Sequence, residues 1–249
     1  MKENYFLKRN PYPRLNRWQR MLAVCLMVLF GQFAFSQVTE YSFTQTAGTY
    51  TPITGGTVLW SGYDGFDDEI SSAIPVSFVY QGVTYTSIFV SANGNIKFGA
   101  TSTSNVPISG GLNAVAAFSV DLDAKSASAG TGIPEVRWEA IGEEFIIQWA
   151  NVCRYTTSGA TSAENLNFQI RLNTVTGEIL IVYGACVDRA TPSTTYPQVG
   201  LGGGSTTVYK NRTIAAGGGD WINSNAGTAN NQTMAFNGTT IPSNGLTFS

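Results

Sequence analysis

The chain of 249 residues contains no histidine. That absence removes Ser-His-Asp and Cys-His catalysis and every His-ligated zinc site. Charge is scarce too, at 12% of residues, against 43% hydrophobic and 12% aromatic. Apolar content this high and this patterned excludes a disordered chain. No 3.6-residue periodicity of useful length is present, so helices of ordinary size are not expected. The only extended apolar run, Met21 to Phe35, has 15 residues and is short for a membrane span. It follows a basic leader (Lys2, Lys8, Arg9, Arg14, Arg17, Arg20) and ends at Ala34-Phe35-Ser36, a small-x-small cleavage pattern before Gln37. Residues 1–36 therefore read as a secretory signal peptide, the alternative being an uncleaved anchor. Of 14 basic and 16 acidic residues the leader holds six and one, leaving eight against fifteen and a mature charge of −7. An acidic, weakly charged surface argues against nucleic acid and anionic membranes as partners, and no membrane span remains after cleavage.

What is present is strand pattern. Glu135 to Ala140 and Asn165 to Asn173 alternate polar and apolar without a slip. Glu143 to Cys153 puts Phe145, Ile147 and Trp149 on one face, and Gly177 to Tyr183 is apolar on both faces. Turn residues separate these four runs, so they predict consecutive antiparallel strands. Before them, Tyr41 to Gln45, Thr49 to Ile53, Thr57 to Trp60, Ile74 to Tyr80, Val83 to Ser91, Asn95 to Gly99 and Asn113 to Val120 also read as strands, with Asn93-Gly94 the strongest hairpin signal. After them come Gln198 to Gly202, Thr206 to Tyr209, Met234 to Phe236 and Leu246 to Phe248. About a dozen strands at this spacing predict an all-β, two-sheet antiparallel sandwich of the jelly-roll kind over residues 37–249. A strand pattern running up to Ser249 reads as the N-terminal module of a longer protein.

Cys25 falls in the leader, which leaves Cys153 and Cys186. Both sit at the far ends of strands that run the same way, in a protein read as exported, so a disulfide is expected, with two buried thiols as the alternative. The loop Asp64, Asp67, Asp68, Glu69 is dense in carboxylates, and Asp121 and Asp123 end a strand. Calcium takes six to eight oxygens, so these six residues are the candidate metal ligands, against the plainer reading of a solvated turn capped by its own acids. Calcium is the only cofactor the sequence offers. Trp60, Tyr63, Phe66, Tyr155, Tyr196 and Trp221 lie in or beside loops. Aromatic platforms suit sugar stacking, and they also serve as plugs at sandwich ends. Trp60, Tyr63, Tyr155, Tyr196 and Trp221 are the candidate ligand-binding set. The runs Gly202 to Gly204 and Gly217 to Gly219 open no helix, so a phosphate loop is excluded by context. Glu143 and Glu144 point to opposite faces of a strand, and Glu135 and Glu139 share a surface face, so no acid pair of the glycosidase kind stands out.

The segment Ile74 to Gly99, an apolar strand, a Gly turn, Tyr85 and a Ser-x-Asn-Gly hairpin, resembles the strand pair that begins nidogen-type (NIDO-like) extracellular domains. Ala114 to Asp123 is similar to their following strand ending in acids. The likeness runs from Tyr41 to Phe248 and is greatest to the N-terminal β-domain of large secreted Bacteroidota proteins. There, Tyr-Ser-Phe-Thr-Gln near the mature start and Ser243 to Phe248 at the end are similar landmarks. The resemblance implies an extracellular module, and it implies surface attachment through a type IX secretion sorting domain that this sequence does not contain. It supplies no motif for catalysis, and an enzyme is not expected. The resulting expectation is a secreted or cell-surface binding and adhesion module for a glycan or an extracellular matrix protein. The alternatives are a structural spacer within a multidomain surface protein and, further off, a sandwich-fold glycoside hydrolase.

Overall fold

A computed structural model describes residues 16–21, 37–126, 132–155, 163–189 and 194–249. The chain divides into two compact units, Met1–Phe35 and Ser36–Ser249. In the first, the helical turn at 17–21 is capped by Asn16, whose Oδ1 accepts from Gln19 N at 2.9 Å while Gln19 Oε1 accepts from Asn16 N. The remainder of the expected signal peptide lies outside the described residues. No helix among the described residues is long and apolar enough to cross a membrane.

The second unit carries fifteen strands among its described residues: β1 (Gln45–Ala47), β2 (Thr57–Ser61), β3 (Ile74–Tyr80), β4 (Val83–Ser91), β5 (Asn95–Phe98), β6 (Ala114–Ser119), β7 (Leu122–Asp123), β8 (Glu135–Ile141), β9 (Glu144–Arg154), β10 (Leu166–Asn173), β11 (Ile179–Tyr183), β12 (Gln198–Gly202), β13 (Tyr209–Thr213), β14 (Asn225–Ala226) and β15 (Leu246–Phe248). They form two antiparallel sheets. One has the order β1-β15-β11-β10-β9-β8-β2 with β7 pairing β9, and the other β14-β13-β12-β6-β5-β4-β3. The fold is the all-β sandwich that the alternation predicts. The four consecutive strands read from the sequence, β8 to β11, lie side by side in the first sheet.

Period-two alternation puts Phe145, Ile147 and Trp149 of β9 and Leu166, Phe168, Ile170 and Leu172 of β10 into the core. An aromatic column crosses between the sheets. Trp149 stacks on Phe168 at 5.1 Å, Phe168 on Phe118 of β6 at 5.6 Å, and Phe118 on Trp221 at 5.6 Å. Each such pair adds about 0.5–1.5 kcal/mol beyond its buried area. The hairpin between β4 and β5 turns on Gly94 at φ 70°. A Cβ there would stand 2.4 Å from the Phe118 carbonyl oxygen, so only glycine fits.

Two loops close over the outer faces of the sheets. Residues 49–53 read as a strand but pair with none. Pro52 has no N–H to give a ladder, and the segment bonds instead to side chains that emerge from β9 and β10. Gln148 Oε1 accepts from Ile53 N at 2.9 Å and from Gln169 Nε2 at 2.8 Å, and Gln169 Nε2 also donates to Thr51 O at 2.9 Å. On the second sheet, residues 101–112 cover Asn95, Lys97, Ser119 and Gln198, all at most 1% exposed. The strand expected at Thr206 to Tyr209 begins only at Tyr209, and Met234 forms an isolated bridge to Ile214 rather than a strand.

Candidate functional site

The acidic loop between β2 and β3 is held by one apolar anchor. Phe66 is 3% exposed, packs against Trp60 with ring centres 6.3 Å apart, and accepts Ala124 N on its carbonyl at 2.9 Å. That last bond lays the loop beside β7. Asp64 sits at φ 52°, a left-handed position that aspartate tolerates better than most residues. Asn93, in the tight turn after β4, ties the two segments together: its Nδ2 donates to Asp68 Oδ1 at 2.8 Å and its Oδ1 accepts from Leu122 N at 2.7 Å.

The result is a cluster that sequence distance conceals. Carboxylate oxygens of Asp67, Asp68 and Asp121 lie within 4.8 Å of one another. Among the described residues no ion pair reaches any of the three. Asp67 Oδ1 is buried without a hydrogen-bond partner. Burial raises the proton affinity of Asp67, helped by the charges of Asp68, Asp121 and Glu69, and burial followed by Asp68 does the same to Asp121. Asp123 is pushed up to about 6, first by burial and then by Asp67, against a lowering hydrogen bond from the Ala124 N–H. Like charges gathered at partial burial are costly until a proton or a cation arrives. Oxygen donors from carboxylates in a Gly-containing loop fit a hard divalent cation, with Asp67, Asp68 and Asp121 as ligands and backbone carbonyls or water able to complete the shell. Of the other expected ligands, Glu69 Oε2 is taken by Asp67 N at 2.5 Å, while Asp64 and Asp123 lie beside the triad and outside it.

A bulge brings an aromatic to the same place. Asn151 in β9 takes φ 57°, and its N–H goes to Asn167 Oδ1 at 3.1 Å. Up to Ala150 that edge of β9 pairs with β8, whereas at Cys153 and Arg154 it pairs with β7. The next residue, Tyr155, donates its backbone N–H to Asp121 O at 2.9 Å. Tyr155 is 42% exposed, and Tyr63, in the acidic loop, 37%. These two of the five expected ligand-binding aromatics are exposed and belong to this end of the domain. Trp60 and Tyr196 are half-buried against the core. Trp221 is a correction. It is wholly buried, its Nε1 donates to Ala235 O at 2.8 Å, and it closes the aromatic column as a plug, because stacking on Phe118 buries far more apolar area than a loop position would.

The expected disulfide is also corrected. Cys153 and Cys186 are free, buried thiols, Cys153 Sγ lying 3.5 Å from Asp123 O and Cys186 Sγ 3.6 Å from Asn167 O. The strand β10 runs between their segments. Two strand spacings come to about 9–10 Å, beyond the Cα separation that a disulfide spans. Burial pushes both thiols up to about 12, so neither is a reactive thiolate.

Sequence reasoning missed a buried ionic cluster beside Tyr155. Arg154 contacts Glu164 at 2.6 Å and Asp188 at 2.5 Å, Arg189 contacts Glu164 at 2.6 Å, and the Arg154 guanidinium lies 4.9 Å from the Phe236 ring centre. Glu164 is 0% exposed, so these pairs tie the end of β9 to the segments at Glu164 and at Asp188 and Arg189. No signal in the sequence separates such charges from surface ones at strand ends. The acids weighed for glycoside hydrolysis are dispersed: Glu135 pairs with Arg137 and Glu144 with Arg171. A separate cavity of about 460 Å³, lined by Tyr41, Phe43, Ile179, Ile181, Leu201 and Phe248, contains none of the expected site residues.

No curated protein and no solved structure matches the chain. The family model described as NIDO related matches residues 40–245, which is nearly the whole sandwich, and the chain belongs to the NIDO-related family.

Proposed function

We propose that this domain is an exported, non-catalytic binding module that holds calcium at Asp67, Asp68 and Asp121 and presents Tyr63 and Tyr155 beside it to a carbohydrate or extracellular matrix ligand. The observation that carries the reading is the meeting of three carboxylates from two distant segments within 4.8 Å, with no cationic side chain among the described residues paired to them. A divalent ion at that point relieves the repulsion and leaves coordination positions for ligand hydroxyls, while an exposed tyrosine ring offers a stacking face. Membership of a NIDO-related family supports an extracellular setting, and the basic leader supports export.

The test is thermal unfolding of the mature domain in millimolar calcium and in chelator. A ligand that binds only the folded state adds about 2.7 kcal/mol at a hundredfold excess over Kd, so calcium is expected to raise Tm by several degrees. Asp68→Asn together with Asp121→Asn should abolish the shift. Superimposable melting curves for the unaltered protein would remove the metal from the reading. A glycan array run with calcium and with chelator, on the unaltered domain and on Tyr155→Ala, addresses the ligand. Silence under both conditions would favour the spacer reading instead.

A further inference from the structure

A buried amine and a side-chain amide meet across the strand that separates them. Lys125 follows β7, which pairs with one edge of β9 through Leu122↔Arg154 and Asp123↔Cys153. Asn165 precedes β10, which pairs with the other edge through Leu166↔Val152. The Lys125 side chain spans β9, and its Nζ lies 2.7 Å from Asn165 Oδ1. Lys125 is 1% exposed. The Asn165 backbone is pinned on both of its polar groups, N to Val187 O at 3.0 Å and O from Val187 N at 2.8 Å. Cys153, buried in β9 opposite Asp123, has its Sγ 3.5 Å from Asp123 O.

We propose that Lys125 and Asn165 join in an intramolecular isopeptide bond. The Nζ lone pair attacks Cγ of Asn165, the Nζ–Cγ bond forms and the Cγ–Nδ2 bond breaks. The proton given up by the amine passes to Nδ2, and Nδ2 leaves as ammonia. Amine and primary amide become secondary amide and ammonia, with no oxidant, reductant or cofactor consumed. Attack requires the uncharged amine, which burial favours over the ammonium. Fixed placement replaces a bimolecular encounter, and exclusion of water suppresses hydrolysis of the amide. The bond would tie the strand that follows Asp121 across β9 to β10, closing a loop of 40 residues. Such a link restricts the unfolded chain as a disulfide does, without depending on an oxidising environment. It suits a sandwich whose two described cysteines are too far apart to pair.

The test is the intact mass of the purified, folded chain, followed by tryptic mapping. The expected result is a mass short by one ammonia and a branched peptide joining the Lys125 and Asn165 segments, uncut after Lys125. Cyclisation of an N-terminal glutamine, or of an Asn-Gly turn such as Asn237-Gly238, also releases ammonia, so the map decides. Cleavage after Lys125 with the loss located elsewhere, or a full unmodified mass, would overturn the proposal. Lys125→Arg keeps the charge and a hydrogen-bond donor. Once shown to be folded by circular dichroism, it should carry the full mass at this site, yield no branched peptide and melt below the unaltered protein.

Discussion

The two sheets are covered on their outer faces in the same way and with different chemistry. On the first sheet, residues 49–53 lie over neutral amides. Gln148 both accepts from and donates to Ile53, and Gln169 reaches Thr51, with Arg171 half-buried at the margin donating to Gln169 Oε1 at 2.9 Å. On the second sheet, residues 101–112 lie over Asn95, Ser119 and Gln198, and over an ammonium. Lys97 Nζ donates to Ser102 O, and desolvation lowers its pKa to about 8. A neutral amide pair satisfies its partners at every pH, whereas a buried ammonium is an electrostatic cost that deprotonation removes. The first cover is therefore a pH-independent seam, and the second is sensitive to alkali.

Three substitutions sharpen or break that contrast. The largest effect is expected from Gln148→Leu, which strips the partners from both Ile53 N and Ile53 O. Unsatisfied buried groups cost about 1–3 kcal/mol each, so chemical denaturation should show a loss of about 3 kcal/mol, equal at pH 7 and pH 9. A loss confined to one pH would contradict the neutral seam. Next is Lys97→Met. The folded state holds the Lys97 proton less tightly than the unfolded state, whose value is 10.5 against about 8. Protonation in the unfolded chain exceeds that in the folded chain between those values, so stability rises as pH climbs through the window, by up to about 1.4 kcal/mol per pH unit. The methionine variant should lose that slope and be more stable than the unaltered protein at pH 7. A slope unchanged by the substitution would reassign it to other groups. The smallest effect is expected from Gln198→Leu, which frees Ile108 N from a 3.0 Å bond at the rim of the second cover. A loss of about 1–2 kcal/mol in the same assay is expected, and a loss exceeding that of Gln148→Leu would invert the comparison.

Much of the sandwich was legible because its signals are local. The alternation of Glu135 to Ala140 and Leu166 to Asn173 depends only on neighbours in the chain, and so does the Asn93-Gly94 turn. The covers were not legible, since Gln148, Gln169 and Gln198 stand at outward positions where a polar residue ordinarily meets water. The candidate site was legible in part. The acidic loop is visible as a run of carboxylates, but its meeting with Asp121 depends on Phe66 and Asn93, neither of which carries an acidic signal. Trp221 misled because an aromatic in a Gly- and Asn-rich stretch has the same sequence context whether it faces solvent or fills the gap between two sheets.

The sequence by itself determined the class of the molecule: strands in place of helices, two faces per strand, and chemistry without imidazole. Those properties follow from side-chain periodicity and composition, which any stretch of chain carries with it. The tertiary structure alone decided which polar residues are dry, which acids share a charge cloud, and that Lys125 reaches Asn165 across an intervening strand. Such relations depend on distances between segments far apart in the chain, and those distances exist only once the sheets have stacked.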